Sequence, residues 1–143
     1  MSDAPGDVLG IDPGSGKCGL AVVGPDRTVI HRSIVALPAL EDAIRAIIRT
    51  YTIRAVVVGD RTGSRPVAQA ARSIAGAERV HTVDEHNSTL RARDLYWQLN
   101  PPGLFARLIP KGLRVPPGPI DDYAAAVLAL DFVRGQAARP GPA

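Results

Sequence analysis

At 143 residues the chain suits one domain built around a single sizeable core. Hydrophobic residues make up 45% and charged residues 22%, which excludes a disordered chain, and a single cysteine, Cys18, excludes a disulfide framework or a multi-cysteine zinc site. Net charge is only +3, but residues 61–114 hold 9 basic and 4 acidic side chains against 8 and 10 elsewhere, so the basic surplus lies in the second half, where it suits a phosphate backbone or simply a solvated surface.

The first residues, 1–6, are small and acidic, unlike a secretory or transit peptide, and read as a flexible N-terminus. No apolar run approaches the ~18–20 residues of a membrane span. A cytoplasmic protein with no membrane partner is expected. The domain proper is expected to span 7–134, and the Pro/Gly-rich end, 135–143, to be a disordered tail.

Residues 7–12 and 17–24 are apolar runs joined by Pro13-Gly14-Ser15-Gly16, and read as two strands of a hairpin. Residues 27–33 alternate enough for a third strand, completing a meander. Over 38–51 the period changes: Leu40, Ala43, Ile44, Ile47, Ile48 and Tyr51 form the stripe of an amphipathic helix, with Pro38, Glu41 and Asp42 suited to its first turn. A β-branched run over 54–59 predicts a buried strand, and 65–76 an alanine-rich helix ended by Gly76. Residues 79–83 predict another strand, and Asn87 or Ser88 caps a helix reaching Leu99. Residues 100–119, with six prolines and three glycines, predict a long irregular connection. A last helix is expected over 120–133, stopped by Gly135. The order βββ-α-β-α-β-α-α implies an α/β fold: a mixed five-stranded sheet, an antiparallel three-strand meander plus two parallel strands, flanked by helices.

Gly14-Ser15-Gly16-Lys17-Cys18-Gly19 matches a dinucleotide-binding glycine pattern, but a strand follows it where a helix is required, and Cys18 stands where a phosphate loop needs Ser or Thr. The glycines therefore read as a hairpin turn. Asp12 ends a buried strand, where an ionised carboxylate is costly unless paired or metal-bound, although aspartate also forms turns there. Asp84-Glu85 follows a strand, and successive strand residues point to opposite faces, so at most one of them joins a given site. Asp121-Asp122 opens a helix, where acids commonly meet the positive dipole. Alone each is ordinary. Together they place three acidic positions at element ends that a partly parallel sheet can bring together. Clustered carboxylate oxygens suit Mg²⁺ or Mn²⁺, and two such ions about 3.5–4 Å apart support phosphodiester cleavage.

Gly10-Ile11-Asp12-Pro13-Gly14, Val83-Asp84-Glu85 and Ile120-Asp121-Asp122-Tyr123-Ala124-Ala125-Ala126-Val127-Leu128, in this order, resemble the YqgF (RuvX-like) family of RNase H-like proteins, described as pre-16S rRNA nucleases and as Holliday junction resolvases. The resemblance covers about 7–134 and implies an RNase H-like fold. It carries the family's catalytic, metal-binding acids onto Asp12, Glu85 and Asp122, with Asp121 second in rank. Asp12 would bridge two ions, with Glu85 and Asp122 each completing one. It implies a hydrolase acting on RNA, with rRNA-precursor processing the leading expectation and DNA next. Lys17, Arg61, Arg65, His86, Arg91 and Arg93 would hold nucleic acid. The alternatives are a Holliday junction resolvase, whose two cuts imply a homodimer, and a non-catalytic nucleic-acid-binding module. This chain departs from the family at His86, where Arg is usual, in the Ser15-Gly16-Lys17 turn, in the short loop after Gly59 and in the proline-rich 100–119 segment.

Overall fold

The computed structural model describes residues 6–138 except 62, 86, 87, 105, 111, 112 and 114. Strands β1 (Asp7–Pro13), β2 (Lys17–Val23) and β3 (Val29–Ala36) form the meander. Then come α1 (Leu40–Thr50), β4 (Ile53–Gly59), α2 (Ser64–Ala75), β5 (Val80–Val83), α3 (Ser88–Leu99) and α4 (Asp121–Ala138). The five-stranded sheet has the order β3-β2-β1-β4-β5. The β1–β2 and β2–β3 pairs are antiparallel, and β1–β4 and β4–β5 are parallel. This is the mixed sheet expected from the alternation of elements.

Period-2 alternation sends each strand's side chains to two cores. Leu9, Ile11, Cys18, Leu20, Val22, Val56 and Val58 point to α1 and α2, where Leu40, Ile44, Ile47, Val67 and Ala68 meet them. Each large aliphatic side chain fully removed from water there contributes about 1.5–3 kcal/mol. Val8, Val23, Ala55 and Val57 point the other way, onto Leu128, Ala129 and Val133 of α4. Helix α4 lies across β1 and β2 and is itself covered by α3. It is therefore buried continuously from Asp122 to Leu130, which explains an apolar composition with no single stripe.

Several boundaries differ from expectation. Strand β3 starts at Val29 because the turn before it is longer: Gly24 N donates to Thr28 O at 2.9 Å, and Asp26 accepts from Thr28 N and Oγ1. Pro38 lies in a 3₁₀ turn, Leu37–Ala39, ahead of α1. Gly76, at φ 97°, ends α2 as expected. Gly135 does not end α4, which continues to Ala138, because Gln136-Ala137-Ala138 are good helix formers that offset one glycine. Residues 135–138 of the expected disordered tail are thus helical, and 139–143 lie outside the described residues. At the other end, 1–5 lie outside them too, and Gly6 is buried. Among the described residues of 100–119, Ala106–Leu108 form a 3₁₀ turn. Among the described residues no helix is long and apolar enough to cross a membrane.

Candidate active site

The same alternation that builds the two cores positions the first acid. Asp12 shares the α4 side of β1 with Val8 and Gly10, and pairs across the ladder with Gly19 of β2. On that face three strand positions are glycines, and each makes room for something particular. A Cβ on Gly10 would overlap the carbonyl of Ala125, and one on Gly19 the carbonyl of Asp121. Backbone of α4 therefore lies directly on backbone of the sheet, as only glycine permits. A Cβ on Gly59, at the end of β4, would overlap the carboxyl of Glu85. Gly59 pairs with Val83 in β5, so the chain leaves the sheet at Val83 and folds Glu85 back over its neighbour.

Asp12, Glu85 and Asp122 are 4%, 6% and 8% exposed, and are the buried charged residues among those described. Asp84 is exposed, so Glu85 is the member of that pair turned inward. The Asp12 carboxyl has the Glu85 carboxyl as a hydrogen-bonding neighbour. Burial, then that hydrogen bond and the Glu85 charge, push the Asp12 carboxyl up to about 8, with Asp121 adding to the rise and Arg61 opposing it. Two carboxyls in a dry site cannot both ionise without compensation.

The two acids opening α4 divide their contacts. Asp121 acts electrostatically on both Asp12 and Cys18 and lies 3.3 Å from Lys17 Nζ. Asp122 Oδ2 accepts from Arg32 Nη1 at 2.8 Å. Asp121, expected to rank second, is thus the one of the two whose charge reaches Asp12, while the contact made by Asp122 is with Arg32.

Five buried side-chain polar atoms lack a hydrogen-bond partner among the described residues. Four are carboxylate oxygens of this cluster: Asp12 Oδ1, Glu85 Oε1, Asp121 Oδ2 and Asp122 Oδ1. Two of these face cations without hydrogen-bond geometry, Asp121 toward Lys17 and Glu85 toward Arg61 Nε at 3.4 Å. Buried acceptors left unpaired are costly, and a hard divalent cation, which takes oxygen ligands, removes that cost. By donor chemistry, carboxylate oxygens suit Mg²⁺ or Mn²⁺. In this side-chain arrangement no group of three acidic, histidine or cysteine side chains among the described residues is placed to hold a metal ion.

The basic residues expected to hold nucleic acid fall into distinct groups. Lys17 and Arg61 border the acids, and the Arg61 backbone N–H also donates to Glu85 Oε2 at 3.1 Å. Arg65 is exposed in the first turn of α2, and Arg93 is half-buried on α3. Arg91 is instead engaged in a two-bond pair with Asp131 that ties α3 to α4. His86 lies outside the described residues. Sequence reasoning missed Arg32, and missed Gly19 and Gly59 as the clearances for Asp121 and Glu85. The signal for Arg32 was its parity: it pairs with Ala21, which faces α4.

No protein-family model and no curated protein matches the chain. Solved structures do. Thermus thermophilus RuvC in complex with a Holliday junction substrate aligns at 21% identity and a TM-score of 0.55, over 94% of this chain and 96% of that one. A second Thermus thermophilus RuvC structure aligns at 21% identity and a TM-score of 0.54 over the same shares. The fold of this chain is thus the RNase H-like α/β fold of RuvC.

Proposed function

We propose that this chain is a divalent-metal-dependent nuclease, a hydrolase of phosphodiester bonds in nucleic acid. The observation that carries the reading is the set of four buried carboxylate oxygens without a hydrogen-bond partner, on Asp12, Glu85, Asp121 and Asp122, of which those of Glu85 and Asp121 face only a cation. Mg²⁺ or Mn²⁺, two ions in the full reading, would be held by these carboxylates and would supply an activated water and stabilise the departing oxygen. The chain's own groups do the rest. The raised Asp12 carboxyl would give up its proton when a cation binds beside it. Lys17 and Arg61, beside the acids, orient a phosphate. Arg65 and Arg93 extend the basic surface away from the site.

The substrate is nucleic acid, on two lines of support. The YqgF-like motifs around Asp12, Glu85 and Asp121-Asp122 favour RNA and the trimming of an rRNA precursor, in the cytoplasm. The likeness to RuvC bound to a Holliday junction, over nearly the whole chain, favours a four-way DNA junction, whose two cuts would call for two active sites and so a homodimer. A cleavage panel separates them: single-stranded RNA, an rRNA-precursor end, single- and double-stranded DNA and a four-way junction, each with Mn²⁺, Mg²⁺ or EDTA. Metal-dependent cleavage by the wild-type chain that disappears in Asp12→Asn and Glu85→Gln supports the nuclease. Full activity in Asp12→Asn overturns it, and salt-sensitive binding without cleavage of any substrate makes the chain a binding module.

A further inference from the structure

Asp122 has two oxygens in different circumstances. Oδ2 accepts from Arg32 Nη1 at 2.8 Å, while Oδ1 is buried and has no hydrogen-bond partner. Arg32 is fixed from a second direction: its Cζ lies 4.1 Å from the centroid of the Tyr123 ring. That ring is fixed in turn, edge-on to Tyr96 with centroids 5.1 Å apart, and its hydroxyl accepts from Asn100 Nδ2 at 2.9 Å. The guanidinium therefore lies over the ring of the residue after Asp122 while its Nη1 bonds Asp122 itself. A planar, permanently charged group can do both at once, whereas an ammonium cannot reproduce the stack and the directed bond together.

We propose that Arg32 is a positioning residue: by occupying Oδ2 it fixes the Asp122 rotamer and reserves Oδ1 for the cation. This rests on the reading of the acidic cluster as a divalent-cation site. It assigns edge strand β3, which contributes no carboxylate, a part in building that site. Outer partners of metal-binding carboxylates typically change metal affinity by about 10–100-fold.

The test is Mn²⁺ binding to the full chain, followed by the paramagnetic signal of free Mn²⁺, with thermal melting in EDTA as the control for folding. Arg32→Met is expected to weaken binding about tenfold. Arg32→Lys, which keeps the charge, is expected to recover only part of that loss while melting like wild type. Asp122→Asn combined with Arg32→Met should bind no more weakly than Asp122→Asn alone, because Arg32 acts through Asp122. Wild-type affinity in Arg32→Met, or additive losses in the double variant, overturns the assignment of Arg32 while leaving the nuclease reading standing. Full recovery by Arg32→Lys also overturns it, since charge alone would then suffice. A wild-type chain that binds no Mn²⁺ overturns the cation site itself.

Discussion

Glu85 rests against the α-carbon of Gly59, on the side of β4 that faces α4, and occupies the volume a methyl group at Gly59 would fill. Gly59→Ala therefore sets a new Cβ against the tip of a side chain that can swing away. Its main consequence is a displaced Glu85 carboxyl. Cleavage in the presence of Mn²⁺ is expected to fall by about 10²-fold, the usual penalty for a reacting group misplaced by roughly an ångström. Thermal melting without metal should change little. A variant with wild-type turnover would show that Glu85 tolerates the move.

Gly10→Ala has the opposite balance. The atom it meets is the carbonyl oxygen of Ala125, backbone of a buried helix that cannot rotate out of the way. The helix must lift from the sheet, so a loss of about 1–3 kcal/mol or more is expected from overpacking. Urea unfolding measures it, and an unchanged midpoint would contradict the close approach of α4 to β1.

Asp12 gives stability a pH dependence with a definite sign. Its carboxyl is raised from 3.8 when unfolded to about 8 in the fold, so between those values the folded chain holds a proton the unfolded chain has lost. The resulting stabilisation is complete below about pH 4 and is lost as pH rises through 8, at most about 1.4 kcal/mol per pH unit. Without metal, Tm is expected to fall from pH 5 to pH 8.5. Asp12→Asn should flatten that fall and melt higher than wild type at pH 8.5. Adding Mg²⁺ or Mn²⁺ at pH 8.5 should raise the wild-type Tm and leave Asp12→Asn nearly unmoved. A wild-type Tm that rises with pH over this range would refute the arrangement.

The Arg91–Asp131 pair is about 40% exposed on both sides, so its worth is limited by solvent. Arg91→Ala and Asp131→Ala are each expected to cost under about 1 kcal/mol, with the double variant no worse than either. Nucleic-acid binding should be nearly unaffected by Arg91→Ala. Arg65→Ala should weaken it across all sequences and lower the log–log salt slope by about 1. The same salt titration, run on both variants, tells the two arginines apart.

The strands around Asp12 were legible because runs such as Ala55-Val56-Val57-Val58 have few other uses, and α1 because its apolar stripe repeats at helical spacing. Boundaries were less legible where a local hydrogen bond decided them, as Asp26 does ahead of β3. At the site, the chain advertised its acidic positions but not their partners. Alternation allowed at most one of Asp84 and Glu85 to join a given site. Choosing Glu85 took the family resemblance, and the clearance at Gly59 accounts for it afterwards. The contrasting contacts of Asp121 and Asp122 depend on how α4 rotates over Gly19, and the role of Arg32 depends on the β2–β3 register. Neither is written in any single segment.

The seating of α4 on the glycines of β1 and β2 also has a consequence in time. The strand carrying Asp12 is synthesised well before α4, which carries Asp121 and Asp122. Chains emerge at about 5–20 residues per second and fold as their parts become available. The meander, α1, β4, α2 and β5 can close the larger core while α4 is still inside the exit tunnel. A nascent chain would then hold a closed core and still lack the helix that completes its acidic cluster. Cation binding would begin only once α4 has emerged and settled on β1 and β2.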